Sequence, residues 1–253
     1  MPPGPEGAST RRTVVVTGAA SGIGWATAQA FAAMGEQLVV IDRVEVGDER
    51  VEHLRRLAGH DRVAAYQVDV SRTDDVRACL SLSAREVGAT DVLVNNAGIG
   101  PMKTFVEMSE SEWDEVIDVN LKSMFNTCRA VVPTMVQAGL GRIVNVASEL
   151  GMVGRARMVH YCAAKGGVIA FTKALAREVA AAGITVNVVA PGPVETPLLV
   201  DLSDEYTPEG LRNIPLGRWG RPEDVAATIR FVASEEASFY TGWVFSPNGG
   251  VVM

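Results

Sequence analysis

The chain is short of cysteine: Cys79, Cys128 and Cys162 are the 3 thiols in 253 residues, and no CxxC pair occurs. An odd, widely spaced set makes neither a disulfide framework nor a cysteine zinc site, and it suits reduced, buried thiols. No metal site is expected. Positive charge is also short, with 23 Lys and Arg against 30 Asp and Glu, a formal net charge of −7. That balance leaves no electrostatic footprint for nucleic acid or an anionic membrane. No apolar stretch reaches the roughly 18 to 20 residues needed to span a bilayer, so no transmembrane helix is predicted. Residues 1–12, MPPGPEGASTRR, lack the apolar core of a signal peptide and read as a flexible tail. Arg11 and Arg12 before TVVV imitate a twin-arginine export signal, but the apolar run breaks at Thr17-Gly18. A cytoplasmic location is expected.

What the chain does have is apolar content, 47% of its residues, in a regular distribution. Short runs recur as TVVVT at 13–17, QLVVID at 37–42, VAAYQV at 63–68, DVLVN at 91–95, GRIVNVA at 141–147, ITVNVVA at 184–190 and GWVF at 242–245. Most are apolar on both faces, as strands covered by helices on two sides must be. Between them the spacing predicts helices. One closes at AFAAMG, one covers SRTDDVRACLSLSAREVG with Ser71 as N-cap, one covers SESEWDEVIDVNLKSMFNTCRAVVPTMVQAG, and one covers YCAAKGGVIAFTKALAREVAAAG. Alternating strands and helices with right-handed crossovers give an α/β fold, a Rossmann-like doubly wound parallel sheet of about seven strands in a three-layer sandwich. No repeat or linker divides residues 13–253, which are expected to form a single domain with a substrate loop at about 193–218.

The first run passes directly into Thr17-Gly18-Ala19-Ala20-Ser21-Gly22-Ile23-Gly24 and then a helical pattern. Glycines placed there let the backbone turn tightly and approach a pyrophosphate, whose charge the helix N-terminus meets. The spacing is GxxxGxG rather than the common GxGxxG, and taken alone it also fits an ordinary βα loop. Asp42 ends the next strand, where a carboxylate accepts hydrogen bonds from ribose hydroxyls and repels a 2′-phosphate, which favours NAD over NADP. Arg43 beside it could swing toward a phosphate, whereas Ser21 adds no positive charge for one. Asp69-Val70 and Asn95-Asn96-Ala97-Gly98 stand at the carboxyl ends of the third and fourth runs, where ligands of open α/β sheets bind.

The fifth run ends at Ser148, and Tyr161 and Lys165 follow at helical spacing. Four residues apart, the two side chains share a helix face, and a nearby ammonium is expected to pull the phenol down from its usual pKa toward working pH. A tyrosine so tuned serves as general acid or base on an alcohol or carbonyl oxygen, which Ser148 would hold by a hydrogen bond. A YxxxK pair by itself more often marks a solvated helix face.

Taken together, the motifs resemble the short-chain dehydrogenase/reductase family, whose pattern runs TGxxxGxG, NNAG, Ser, YxxxK and PG. All stand here in that order between Thr17 and Gly192. The resemblance implies that Asn120, in VIDVNLKS, is a proton-relay residue holding a water chain to the lysine, so that Asn120, Ser148, Tyr161 and Lys165 form a catalytic tetrad. It implies that Gly18, Ser21, Gly22, Ile23 and Gly24 hold the pyrophosphate, and that Asp69 and Val70 touch the adenine. Asn96, Ala97 and Gly98 would run beside the cofactor, Lys165 would bond the nicotinamide ribose, and Pro191, Gly192, Val194 and Thr196 would belong to the segment orienting the carboxamide. Ala147 before Ser148, Trp25 after Gly24, and Asn248 before the last glycine pair depart from the pattern without touching the tetrad. Trp25 is expected to pack on the first helix, and His160 and Cys162 to be structural.

Substrate choice is expected in the loops after Asn95, after Ser148 and between Pro193 and Arg218. Met102, Met152, Val153, Leu198, Leu199, Leu202 and Leu211 point to an apolar pocket. Glu149, Arg155 and Arg157 are expected to be solvent-exposed, though they could meet a polar group. The leading expectation is an NAD-dependent oxidoreductase acting on a medium-sized secondary alcohol or ketone. The alternatives are a 3-oxoacyl-carrier reductase, a type that the family resemblance associates with NADPH, and a dinucleotide sensor without turnover. Met124, Phe125, Val131, Phe171 and Leu175 lie beyond a single helical stripe and are expected to face partner subunits in a homodimer or homotetramer.

Overall fold

All seven predicted runs form strands: β1 (Thr13–Thr17), β2 (Gln37–Asp42), β3 (Val63–Gln67), β4 (Val92–Asn95), β5 (Gly141–Val146), β6 (Ile184–Val189) and β7 (Val244–Phe245). They were obtained from a computed structural model that describes residues 11–200 and 208–253. The sheet order is β3-β2-β1-β4-β5-β6-β7, and every neighbouring pair is parallel. Helices α1 (Gly22–Ala32), α2 (Asp48–Ala58) and α10 (Pro222–Val232) cover one face. There Phe31, Leu54 and Ile229 pack on Val14, Val16 and Leu38. Helices α3 (Thr73–Glu86), α5 (Ser123–Ala138) and α7 (Val159–Val179) cover the other, where Leu80, Met135 and Val179 meet Val15, Leu93 and Ile143. Successive strand residues therefore alternate between two cores, which is why the runs are apolar without interruption.

The long helix predicted after Ser109 is divided. Helix α4 (Glu110–Ile117) opens with a capping box between Ser109 and Glu112, and a π-helical turn at Asp118–Lys122 then leads into α5. The wider turn carries Asn120, whose Nδ2 donates to the carbonyl oxygens of Ile99 and Val116, both at 2.9 Å. Shorter helices α6 (Leu150–Val153), α8 (Pro197–Val200) and α9 (Pro208–Arg212) complete the set.

Three expectations are corrected. Arg12 is no part of a loose tail: its N–H and guanidinium donate to the Glu36 carboxylate at 2.7–2.8 Å and to the Ala233 carbonyl at 2.7 Å. The ordered fold thus begins at or before Arg12, and residues 1–10 of the expected tail lie outside the described residues. Ser71 is not the cap of α3, which starts after Arg72, because the Ser71 N–H and hydroxyl both donate to the nearer Asp69 carboxylate at 2.9 and 2.7 Å. Of the side chains expected to face partners, Met124 and Val131 are buried in the chain's own core, Phe171 and Leu175 pack against it, and Phe125 stays exposed. Covering the broad sheet consumes most of the second apolar stripe.

Candidate active site

The carboxyl ends of the strands open into a cleft of about 1150 Å³. Its walls include Gly18, Ser21, Gly22, Ile23, Asp42, Asp69, Val70, Asn96, Ala97 and Gly98 toward one end. Asn120, Ser148, Tyr161, Lys165, Pro191, Gly192, Val194 and Thr196 line the remainder. The tertiary structure thus gathers every expected site residue but one. Gly24 does not reach the cleft. It faces inward, where any Cβ would strike the Gly18 carbonyl oxygen and the Asn96 amide, so this glycine lets α1 approach the turn instead of touching a ligand.

The glycine turn is held by contacts the motifs do not reveal. Asn96 Nδ2 donates to the carbonyls of Thr17 at 3.0 Å and Gly18 at 3.1 Å. The Thr17 hydroxyl accepts the N–H groups of Asn96 and Ala97 at 3.0 and 3.1 Å. Asp42 accepts the N–H of Ala20 at 2.9 Å. Arg50 donates to the Ala20 carbonyl and lies 4.9 Å from the centroid of the Trp25 ring, so Trp25 packs as expected. Asn126 Nδ2 donates to the carbonyls of Val70 at 3.0 Å and Ser71 at 3.1 Å, fixing the loop after β3. Beneath the tetrad, Thr127, Asn95, Asn145 and Thr172 form a buried chain of hydrogen bonds of 2.7–2.9 Å. For Asn95, Asn96 and Asn145 the available signal was polar residues at the ends of apolar runs, whereas Arg50, Asn126, Thr127 and Thr172 lie within helices.

Ser148 follows β5, while Tyr161 and Lys165 share one face of α7. Lys165 Nζ donates to the Val146 carbonyl at 2.9 Å and sits 5.7 Å from the centroid of the Tyr161 ring. The expected lowering of the tyrosine is corrected: burial pushes its hydroxyl up to about 12 against the pull of its hydrogen bond with Ser148. Burial also brings the Lys165 ammonium down to about 8. Desolvation sets both directions because both groups have lost their water, and the acidic neighbours Cys162 and Glu149 add to the rise of Tyr161. Asn120 Oδ1 is buried with no hydrogen-bond partner among the described residues. His160 turns aside and uses Nδ1 to accept the Tyr161 N–H at 2.9 Å.

At the substrate end, Met102, Leu198, Glu149 and Arg155 line the cleft, together with Leu150 and Met158, which the loop reading did not name. Met152, Val153, Arg157 and Leu211 do not line it. Leu199 and Leu202 lie outside the residues whose side chains are described. The expected exposure of Glu149 and Arg155 is corrected, since Glu149 is buried and Arg155 half-buried.

The sheet order and its carboxyl-end cleft define a Rossmann-like α/β protein of the doubly wound class. A family profile described as Enoyl-(Acyl carrier protein) reductase matches residues 18–252. The 3-oxoacyl-(acyl-carrier-protein) reductase FabG of Thermotoga maritima is 42% identical over 243 residues, covering 96% of this chain and 98% of the relative. The protein of the same name from Vibrio cholerae is 38% identical over 242 residues, covering 96% and 98%. The crystal structure of levodione reductase superimposes with a TM-score of 0.89 at 32% identity, covering 94% of this chain and 96% of that one. The chain belongs to the short-chain dehydrogenase/reductase family and is an oxidoreductase.

The family implies a nicotinamide dinucleotide, and the cleft fits one. The Ser21 hydroxyl does not cap α1, which leaves the helix's first N–H groups for an anion, and Gly18 and Gly22 hold the turn at φ +65° and +52°. Among the described residues no helix is long and apolar enough to cross a membrane, and no cluster of metal-binding side chains occurs.

Proposed function

We propose that this protein reduces the 3-keto group of an acyl thioester. The observation that carries the reading is end-to-end similarity to proteins named 3-oxoacyl-(acyl-carrier-protein) reductase, at 38–42% identity. The Ser148 and Tyr161 hydroxyls, which share the cleft with the apolar walls of Met102 and Leu198, support it. This reading displaces the secondary-alcohol dehydrogenase expected from the sequence, which stays as the second reading because Asp42 lines the cleft where a 2′-phosphate would be repelled.

The residues proposed to hold the dinucleotide are Gly18, Ser21, Gly22 and Ile23 of the glycine turn, Asp42, Asp69, Val70, Asn96 to Gly98, Lys165, Pro191, Gly192, Val194 and Thr196. The bound nicotinamide supplies the hydride. Ser148 and Tyr161 grip the substrate oxygen, and Tyr161 donates its proton as that oxygen gains charge. Lys165 and Asn120 are the route by which the proton is replaced, and the unpartnered Asn120 Oδ1 is an acceptor for that relay. Asp42 supports NADH as the working cofactor. The exposed Phe125, Phe239 and Trp243 support a homodimer or homotetramer.

The test is to mix purified protein with acetoacetyl-coenzyme A and either reduced cofactor, following cofactor oxidation. Oxidation of NADH is expected. Turnover with NADPH alone would overturn the role given to Asp42, and no turnover with either cofactor would overturn the reductase.

A further inference from the structure

Glu149 stands between Ser148 and the short helix α6, and it is only 7% exposed. Its N–H donates to the Pro191 carbonyl at 3.0 Å, tying the end of β5 to the segment after β6. Its carboxyl rests where Gly192 has no side chain: a Cβ at that position would come within 2.7 Å of Oε2. Oε2 is buried and has no hydrogen-bond partner among the described residues, yet Glu149 is part of the cleft wall. An unsatisfied buried carboxyl oxygen carries a desolvation cost that an apolar residue of the same size would avoid. Glu149 follows Ser148 in the chain and belongs to the cleft wall, which makes its carboxyl a candidate ligand contact.

We propose that the Glu149 carboxyl binds a second oxygen function of the substrate, a carbonyl or hydroxyl one or two carbons from the one held by Ser148 and Tyr161. The inference rests on reading the cleft as a carbonyl reductase site. In a 3-oxoacyl thioester the partner is the thioester carbonyl. Burial lifts the Glu149 carboxyl to about 7 against the opposing pull of Arg155, so near neutral pH the acid form is populated. That form has an O–H to donate to a carbonyl, which a carboxylate lacks. Among the described residues, the charged or titratable groups at this end of the cleft include Arg155, from the loop after α6, and Tyr161, Cys162 and Lys165, from α7.

The experiment compares wild type, Glu149→Gln and Glu149→Leu on a 3-oxoacyl thioester and on a monoketone of equal chain length. NADH affinity is read for each, and calorimetry measures binding of a 3-hydroxyacyl thioester and of a simple secondary alcohol to the NADH-loaded protein. Glu149→Leu is expected to lose roughly tenfold to a hundredfold in kcat/KM on the thioester, the scale of one buried hydrogen bond, with little change on the monoketone or in NADH affinity. Glu149→Gln, which keeps an amide donor, is expected to fall between, and it carries the test if the leucine variant fails to fold. Equal losses on both substrates, or an equal loss of NADH affinity, would overturn the inference. If wild type reduces neither compound, the reductase reading fails, but calorimetry still decides. A preference for the 3-hydroxyacyl thioester that is lost in the variants supports the role of Glu149, and its absence from wild type overturns it.

Discussion

The Asp42 carboxylate accepts the backbone N–H of Ala20 at 2.9 Å, which makes the end of β2 and the glycine-rich turn after β1 one unit. Its second oxygen accepts the Val44 N–H at 3.2 Å. A 2′-phosphate arriving here meets a carboxylate pinned by two backbone donors. Like-charge juxtaposition of this kind costs several kcal/mol when it is desolvated. Asp42→Ala is expected to lower NADH affinity and to shift the NADH-to-NADPH preference toward NADPH by at least about tenfold, read by quenching of tryptophan fluorescence.

Asn126 holds the loop after β3 through the Val70 and Ser71 carbonyls, and its own Oδ1 accepts the Thr73 hydroxyl at 2.9 Å. Replacement by Ala leaves these buried groups without partners. A loss of about 1–3 kcal/mol in denaturant unfolding is expected, together with weaker NADH binding. Unchanged cofactor affinity would mean that the loop keeps its shape unaided.

Tyr161→Phe removes the phenolic hydroxyl while keeping the ring 5.7 Å from Lys165 Nζ. Turnover should fall by at least about a hundredfold, the usual weight of a general acid, with NADH affinity retained. Steady-state rates and a binding titration on the same preparation check both halves.

Glu149 gives stability a defined pH dependence. Its carboxyl is raised from an ordinary 4.5 to about 7, so between these values the folded chain binds more protons than the unfolded one. The stabilising contribution is full below about 4.5, declines as pH rises through 7 and is lost above it. Glu149→Gln should flatten this segment of the profile, by on the order of 2–3 kcal/mol between its ends. Thermal midpoints of the two proteins at successive pH values test it, and parallel curves would show that the group is not raised.

The strand runs, the GxxxGxG turn and the four-residue spacing of Tyr161 and Lys165 were decided locally. Side-chain period and backbone sterics act over a few residues, and each feature persists in the folded chain with the strand ends trimmed by one or two residues. The position of Asp42 at a strand end was legible for the same reason. The direction of the Tyr161 shift was not, because it depends on how much water the neighbouring elements exclude. The burial of Met124 and Val131 was equally hidden, since a broad apolar helix face looks the same whether a sheet or another subunit covers it.

Sequence by itself therefore determined the seven strands, the doubly wound class and most of the groups at the dinucleotide end of the cleft, while helices α2 and α10 were not read from it. Tertiary structure alone decided that Gly24 faces inward, that Asn96 and Asn126 brace the loops, and that Glu149 is buried at the end of the cleft. Those facts arise where the ends of distant strands converge: β1 on β4, β3 on α5, and β5 on the segment after β6. Hydrogen bonding and desolvation at such junctions depend on which chains meet, and spacing along a single chain carries no record of that.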